Sequence, residues 1–296
     1  ESAAHLAPLT ILFDSLMQDW ALCKRLASCG ASCQAAGMTQ ARVVPLEGVH
    51  NLRDYGGYEV AGGARVKHGL LWRSAQHGDA SDGDLAAIHR LGLAHVVDLR
   101  GPSEREVKPC RRPANFTAQV WTYPEETAGL ALHTEAADGV LTAAEARAAM
   151  IRLYEGIAFR DNLVPMLRLY FNLLLRADGP SLVHCVAGKD RTGWAVAMAQ
   201  QALGVPRDAI IADYMLTNSA SRLEERIAAE AFRDLPRYAA MDADTVRALW
   251  GVQEDYIVTA LDAAEARYGS LDSYLEAVLE IDGAKRQALR GHYLAG

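Results

Sequence analysis

The chain has 296 residues, a formal net charge of −7 and an isoelectric point of about 5.7. Half of the residues are hydrophobic, so the chain can bury a sizeable core. The acidic balance argues against a general nucleic-acid-binding protein, which needs a basic face for the phosphates, but it still allows a small positive pocket.

The five cysteines fit neither a disulfide framework nor a paired-cysteine zinc site; they are Cys23, Cys29, Cys33, Cys110 and Cys185. We therefore expect a reducing compartment, with the cytoplasm as the simplest location, and secretion as an effector is also compatible with the sequence. No apolar stretch reaches the roughly 20 residues that span a membrane, so no transmembrane segment is predicted.

The first segment in chain order, residues 1–40, differs in composition from the rest. Its apolar residues at positions 9, 12, 13, 16 and 20 have helical spacing and predict one amphipathic helix, which a flexible link follows. We predict an N-terminal appendage of uncertain structure over 1–40 and one domain over 41–296.

From about residue 43, predicted strands and helices alternate along the chain. The predicted strands cover residues 69–74, 95–100, 118–123 and 181–185. The predicted helices cover residues 82–91, 142–159, 163–174 and 194–203, and the remaining ~90 residues are mostly helical. This order predicts an α/β fold, in which a central, mostly parallel sheet has helices on both faces and a helical C-terminal region follows.

The run HCVAGKDRTG at 184–193 combines a thiol, two fixed cations, a carboxylate and two glycines. It follows a predicted strand and precedes a predicted helix, so the N–H groups of a turn and of a helix N-terminus converge there on one point. Such a geometry binds anions. Cys185 at its base is placed to act as a nucleophile, because amide dipoles favour the thiolate.

Other residues of this run also suit a loop that binds an anion. Gly188 allows the loop to turn without a Cβ clash. Arg191 can hold two oxygens of one anion, and Thr192 can donate a hydrogen bond to the sulfur. The nucleotide-binding signature GxxxxGK[ST] is excluded, because it requires glycine at 183 and Ser or Thr at 190, where the chain has Val183 and Asp190.

HCVAGKDRTG matches the Cys-x5-Arg signature of the cysteine-dependent phosphatase superfamily, and its HCxxGKDRTG form resembles the bacterial atypical tyrosine phosphatases that also act on phosphoinositides. Four further blocks are similar to the same family: VHNLRDYGG, LWRSAQ, VVDLRGPSE and IIADYMLTN. The resemblance covers roughly residues 43–290. It implies a protein-tyrosine-phosphatase-like fold, with the phosphatase domain over 41–296.

The resemblance implies that phosphate monoesters are hydrolysed in two steps. Cys185 attacks phosphorus, which gives a phosphocysteine and releases an alcohol or phenol, and water then hydrolyses the intermediate. Arg191 and the backbone N–H groups of 186–191, among them those of Val186 and Ala187, stabilise the phosphoryl oxygens. Because the loop supplies the positive charge, no metal or other cofactor is expected, and inorganic phosphate is the expected product.

Two carboxylates compete for the role of general acid. The chain has no Trp-Pro-Asp run, and Asp190 lies inside the signature, as in myotubularin-like lipid phosphatases. We therefore favour Asp190 as the acid for the leaving oxygen and as the base for the water. Asp98, at the end of a predicted strand, is the rival, unless it orients the loop through Lys189 or Arg191.

The sequence leaves the substrate open among phosphotyrosine, phosphoserine or phosphothreonine, and phosphoinositides. Lys189 places a second positive charge beside Arg191, which can bind another phosphate on an inositol ring, can favour an acidic phosphopeptide or can simply be solvated. Asn51 and Arg53 are predicted either to reach the substrate-binding loop or only to turn the chain.

Two other functions use an anion-binding loop of this kind. A rhodanese-type sulfurtransferase also has a cysteine in such a loop, but Asp190 and the GKDRTG ending argue against it. A non-catalytic phosphate-binding module usually has a damaged signature, whereas Cys185, Asp190 and Arg191 are all present here.

Overall fold

The computed structural model describes residues 42–127, 142–231 and 240–296. The chain divides into two compact units, Glu1–Arg42 and Val43–Gly296, and all described residues except Arg42 belong to the second unit. The amphipathic helix and the link predicted within 1–40 lie outside the described residues. The N-terminal appendage therefore stays a prediction.

The strands, in chain order, are β1 (Arg53–Asp54), β2 (Arg65–Val66), β3 (Leu71–Ser74), β4 (His95–Asp98), β5 (Gln119–Thr122), β6 (Ser181–His184) and β7 (Leu294–Ala295). Five of them form one sheet in the order β1-β3-β6-β4-β5, where β3, β6, β4 and β5 are parallel and β1 is antiparallel to β3. β2 and β7 form a separate antiparallel ladder. The predicted mostly parallel sheet is confirmed.

The helices up to the middle of the chain are α1 (Asp82–His89), α2 (Pro102–Val107), α3 (Ala143–Ile157), α4 (Val164–Arg176) and α5 (Asp190–Leu203). The C-terminal part contains α6 (Arg207–Met215), α7 (Thr217–Ala220), α8 (Leu223–Ala228), α9 (Ala243–Trp250), α10 (Glu254–Tyr268), α11 (Leu271–Ala277) and α12 (Gly283–Tyr293). The predicted helical C-terminal region is thus confirmed in the part of the chain that the structure describes.

The ends of several helices follow from local side-chain chemistry. α1 begins at a capping box, in which the Ser81 hydroxyl accepts from the N–H of Asp84 and the Asp84 carboxylate accepts from the N–H of Ser81. α3 begins in the same way with Thr142 and Glu145. α5 ends at Gly204, whose φ of 89° is a left-handed conformation that glycine adopts without strain.

Helices cover both faces of the central sheet, as predicted. Successive strand residues point to opposite faces. Accordingly, Val96 and Leu182 pack in a smaller core with α1, whereas Val97 and Val183 pack in the main core with α3, α4, α5 and the C-terminal helices. Trp194 of α5 is the bulkiest of the fully buried side chains in the described residues. None of the described helices is long and apolar enough to cross a membrane.

Candidate active site

The loop after β6 lies at the carboxyl edge of the central sheet. β6 is flanked by β3 and β4, and the register places Ser74 and Asp98 on either side of His184. Cys185, which is 2% exposed, is the first residue beyond this edge. Parallel sheets place their ligands at this edge, so the fold puts the thiol where a substrate is expected.

The carbonyl groups of the loop are bound from behind. Asn51 Nδ2 and Arg73 Nη2 donate to the Gly188 carbonyl at 2.7 and 2.8 Å, and the N–H of Gln76 donates to the Val186 carbonyl at 3.0 Å. The N–H groups of 186–189 donate to no other residue that the structure describes. Because the C=O and N–H of one peptide point in opposite directions, this clamp leaves the N–H groups for an anion.

Gly188 is required by the geometry of this loop. Its φ is +66°, and a Cβ atom at this position would lie 2.3 Å from the carbonyl oxygen of Ser74. A side chain therefore meets both an unfavourable backbone conformation and a rigid strand. The tight turn expected from the sequence is present, and α5 begins directly after it at Asp190, close to the helix start near Arg191 or Thr192 that the sequence predicts.

Arg191 is held by a carboxylate that the sequence did not single out. Its Nη1 and Nη2 donate to Glu104 Oε2 and Oε1 at 2.6 and 2.7 Å, and Nη1 also donates to Thr127 Oγ1 at 3.1 Å. Burial alone would lower the pKa of Arg191, but Glu104 raises it above its ordinary value, so the cation stays charged. Glu104 ends the block VVDLRGPSE, which was the only sequence signal for it.

Asp190 is bonded to a pair of buried tyrosines. Its Oδ1 accepts from the Tyr154 hydroxyl at 2.7 Å, and the hydroxyls of Tyr154 and Tyr214 lie 2.6 Å apart. Burial is the main cause that raises the pKa of both tyrosines well above the usual value, so both stay protonated at neutral pH. Tyr154 is thus a fixed donor that orients the Asp190 carboxylate. The sequence did not predict it, because only the fold brings α3 to the loop.

Asp98 is paired with Arg100 and not with Lys189 or Arg191, which corrects the sequence-based alternative. Arg100 Nε and Nη2 donate to the two Asp98 oxygens at 2.9 and 2.8 Å. Burial would raise the pKa of Asp98, but the His184 charge and the Arg100 hydrogen bonds lower it to about 2. The Arg100 guanidinium group therefore holds Asp98 as a carboxylate at the strand end.

Lys189 is also used inside the protein. The residue is 4% exposed, and its Nζ donates to the carbonyls of Leu249 and Gly251 at 2.6 and 3.0 Å and lies 3.4 Å from Asp190 Oδ1. It ties the loop to the C-terminal end of α9. The hypothesis that Lys189 binds a second phosphate stays a prediction, and in this structure its ammonium group donates within the protein.

Asn51 reaches the loop, as one of the two sequence alternatives predicted, and Arg53 lies directly behind Asn51. Asn51 donates to Gly188 as described, and its Oδ1 accepts from Arg53 Nη1. Arg53 Nη2 donates to the Asp213 carbonyl at 2.7 Å, and Arg73 Nη1 donates to Asp213 Oδ2 at 3.2 Å. Burial, and then the charge of Arg73, lower the pKa of Arg53 to about 10.

The remaining predicted residues differ in exposure. Val186 and Ala187 are partly exposed at the front of the loop. The hydroxyl of Thr192 is buried and has no hydrogen bond with the described residues, so the expected bond to the sulfur is not formed in this state. His184 Nδ1 lies 3.3 Å from the Cys185 carbonyl, and burial is the main cause that lowers its pKa to about 4.

Three potential metal ligands, Asp98, Cys110 and His184, meet behind the loop, with ligand atoms within 4.8 Å of one another. Arg100 Nη2 donates both to Asp98 and to Cys110 Sγ, the latter at 3.0 Å. A guanidinium group therefore already supplies the positive charge at this cluster. The arrangement fits that arginine and not a metal ion.

Comparison with known proteins agrees with this geometry. The sequence matches the family described as "Tyrosine phosphatase family" over residues 44–295. A Cupriavidus necator protein named "Putative tyrosine-protein phosphatase H16_A0669" is 34% identical over 84% of this chain and 87% of its own length. The chain belongs to the tyrosine phosphatase family. It is accordingly a phosphoric monoester hydrolase with the phosphocysteine chemistry typical of the family.

Further relatives share parts of this similarity. The Mycobacterium tuberculosis protein named "Triple specificity protein phosphatase PtpB" is 31% identical over 78% of this chain and 91% of its own length. Crystal structures of P. aeruginosa TpbA, one of them a Cys-to-Ser variant in complex with phosphotyrosine, are 18% and 17% identical. They cover 66% and 64% of this chain and 98% and 91% of their own, with TM-scores of 0.29 and 0.28.

Proposed function

We propose that the loop 185–191 hydrolyses phosphate monoesters with Cys185 as nucleophile and Asp190 as general acid and base. The observation that carries this proposal is the set of backbone N–H groups of 186–189, which have no partner in the described chain and lie between the thiol and Arg191. Three equatorial phosphoryl oxygens need such donors in both transition states.

In the first step the Cys185 sulfur forms a bond to phosphorus while the bond from phosphorus to the leaving oxygen breaks. Asp190 gives its proton to that oxygen. In the second step a water oxygen attacks phosphorus, Asp190 takes the water proton, and the sulfur leaves as thiolate. The buried, unpaired hydroxyl of Thr192 supports its role as a donor to the departing sulfur.

Asp190 is preferred to Asp98 because of its surroundings. Asp190 is partly exposed and receives one hydrogen bond from Tyr154, so its carboxyl group can exchange a proton with substrate and water. Asp98 is held ionised between Arg100 and His184, with a pKa of about 2. Its place at the strand end supports a structural role.

The proposed substrates are phosphotyrosine in proteins, together with phosphoserine, phosphothreonine and phosphoinositides. The breadth rests on the relative named a triple specificity protein phosphatase and on the HCxxGKDRTG signature. We place the domain at 41–296, with 1–40 as an appendage. A cytoplasmic location is supported by the free thiols of Cys110 and Cys185.

The decisive experiment measures phosphate release from phosphotyrosine, phosphoserine and phosphothreonine peptides and from phosphoinositides. We expect turnover of phosphotyrosine by the wild-type protein and none by Cys185→Ser. Inactivity of the wild-type protein on every substrate would contradict the proposal.

The acid is identified by the dependence on the leaving group. Asp190→Asn is expected to reduce kcat on phenyl phosphate by about 100-fold and to affect 4-nitrophenyl phosphate much less, because a good leaving group needs little protonation. Asp98→Asn is the matched control and should lower both rates by one common factor. The assignment to Asp190 is wrong if the two variants exchange these profiles.

A further inference from the structure

Arg160 lies in the turn between α3 and α4, and two contacts fix this turn against the active-site loop. Before the turn, Tyr154 donates to Asp190 at 2.7 Å. After it, the Asn162 side chain donates to the carbonyl of Glu126, the neighbour of Thr127. Thr127 in turn accepts from Arg191 Nη1 at 3.1 Å. The turn is therefore bound on one side to the proposed acid and on the other to the segment 126–127, which contacts the phosphate-binding arginine.

The Arg160 carbonyl accepts from the N–H groups of Leu163 and Val164, but its guanidinium group has no hydrogen bond or ion pair with any residue that the structure describes, although the residue is partly buried. The other arginines around the loop are all paired. Arg191 is bonded to Glu104, Arg100 is bonded to Asp98, and Arg53 and Arg73 share Asp213. A guanidinium group with five donors normally has partners when it leaves water.

The electrostatic environment of Arg160 indicates that its guanidinium group lacks an anionic partner. Burial is the main cause that lowers its pKa, and the positive charge of Arg191 is the second, while Asp190 acts in the opposite direction. Two cations that lie near each other in a partly buried site repel each other unless anions enter between them. A phosphate bound to Arg191 offsets the charge of Arg191, and the guanidinium group of Arg160 can then bind another anion.

We propose that Arg160 binds a second anionic group of the substrate, a phosphate or a carboxylate, beside the phosphate that is cleaved. The proposal rests on the proposed function of the loop 185–191. It gives to Arg160 the role that the sequence suggested for Lys189, whose Nζ is committed to the carbonyls of Leu249 and Gly251.

The preferred substrate is a compact molecule that carries both anions on one scaffold. Arg160 is partly buried in a turn that is bound at two points, so only the length of its own side chain limits the positions that its guanidinium group reaches. A second anion therefore has to enter the site together with the first. A ring with two anionic substituents a few bonds apart meets this condition.

The test compares substrates that differ by one anionic group. Phenyl phosphate carries one, 3-carboxyphenyl phosphate adds a carboxylate, and resorcinol bisphosphate adds a second phosphate. We expect kcat/KM of the wild-type protein to be about tenfold higher for one or both of the doubly anionic substrates, because a charge-assisted hydrogen bond is gained. The two doubly anionic substrates separate a carboxylate preference from a phosphate preference.

We compare variants by the ratio of kcat/KM for a doubly anionic substrate to kcat/KM for phenyl phosphate. A general effect of a variant on catalysis changes both values equally and cancels in this ratio. Arg160→Gln is expected to bring the ratio close to one, and Arg160→Lys to keep part of it. The control is Arg176→Gln, which removes the same charge at the opposite end of α4, where Arg176 pairs with Asp178. This control should keep the wild-type ratio. A wild-type ratio that persists in Arg160→Gln overturns the proposal.

A binding experiment separates a failure of this inference from a failure of the proposed hydrolysis. Calorimetry on Cys185→Ser with phenylphosphonate and 3-carboxyphenylphosphonate measures the same discrimination without turnover. If the wild-type protein is inactive but this discrimination depends on Arg160, the anion site stands and the hydrolase proposal fails. If the two phosphonates bind equally with and without Arg160, and the bisphosphate is not hydrolysed faster than phenyl phosphate, the Arg160 inference is wrong. The proposed hydrolysis is unaffected by that result.

Discussion

Tyr154 and Asp190 are the residues on which the proposed chemistry depends most. α3 gives Tyr154 an apolar environment for its ring and places its hydroxyl 2.7 Å from Asp190 Oδ1. A neutral donor at this distance fixes the direction of the carboxyl group without adding a further positive charge beside Lys189, whose Nζ lies 3.4 Å from the same oxygen. Tyr154 is thus a positioning residue, and it should influence only the step that moves a proton.

We predict that Tyr154→Phe lowers kcat on phenyl phosphate by about tenfold, because the hydrogen bond that orients the Asp190 carboxyl group is lost. The loss on 4-nitrophenyl phosphate should be smaller, since that leaving group depends less on the acid. Steady-state kinetics with the two substrates measure the difference.

Tyr214→Phe is the matched control for this prediction. It removes a hydroxyl that bonds to Tyr154 but not to Asp190. Its effect on the leaving-group dependence should be weak. Equal losses on both substrates in Tyr154→Phe would show that the tyrosine stabilises the fold and does not orient the acid.

The loop 185–189 is the element that converts the fold into a site. Its shape is set by the clamp of Asn51 and Arg73 on Gly188 and by the close approach of Gly188 to Ser74. The loop was predictable from the sequence, because the residues that touch an anion are contiguous. Of the clamp, only the contact of Asn51 was predicted, as one of two alternatives. The role of Arg73 was not predicted, because it is more than one hundred positions away along the chain.

We predict that Gly188→Ala reduces kcat/KM on phenyl phosphate by at least about 100-fold, because a Cβ 2.3 Å from the Ser74 carbonyl forces the loop to move. Gly69→Ala is the control. Gly69 has a similar φ of +79°, but nothing lies within 4 Å of its Cβ position, so only the backbone cost of ~1 kcal/mol remains. Full turnover in Gly188→Ala would contradict the proposed cradle.

Lys189 joins the same loop to the end of α9. We predict that Lys189→Met lowers the free energy of unfolding by about 1–3 kcal/mol, because two buried carbonyls lose their donor. It should also reduce turnover of phenyl phosphate and resorcinol bisphosphate by one common factor. Urea unfolding and kinetics measure these effects. A selective loss on the bisphosphate at unchanged stability would return the second-anion role to Lys189.

At the scale of the whole molecule, the sequence predicted more of the architecture than of the site. The four parallel strands and the long helices have strong apolar patterns, so their places were predictable to within a few residues. The short helix α2 has too few residues for a periodic pattern, and it was missed together with Glu104. Arg160 and Tyr154 were missed because a contact between distant elements leaves no local pattern.

Acid stability is a second property of the whole molecule. His184 is buried with a pKa of about 4 instead of 6.5, so the unfolded state binds a proton first as the pH falls. Stability is therefore lost between about pH 6.5 and 4, by up to about 3 kcal/mol. Asp98 adds a further loss of stability between about pH 3.8 and 2, because its pKa in the folded state is also lower than in the unfolded state.

We predict that the free energy of unfolding, measured with urea, falls steadily from pH 7 to pH 4.5. His184→Asn, whose side-chain amide can replace the donor at Nδ1, should show a flatter slope over this range. An unchanged slope in the variant would mean that other buried groups, such as His77, account for the loss.

The group of Arg53, Arg73 and Asp213 beneath the loop contains two buried cations and one buried anion. This group carries one more positive than negative charge, which an incoming dianion in the loop offsets. Inorganic phosphate, the reaction product, should then protect the protein from heat, by about 2.7 kcal/mol at a concentration 100 times its Kd. The resistance of this enzyme to unfolding would accordingly follow the occupancy of its own active site, and its lifetime would be shortest when it has nothing bound.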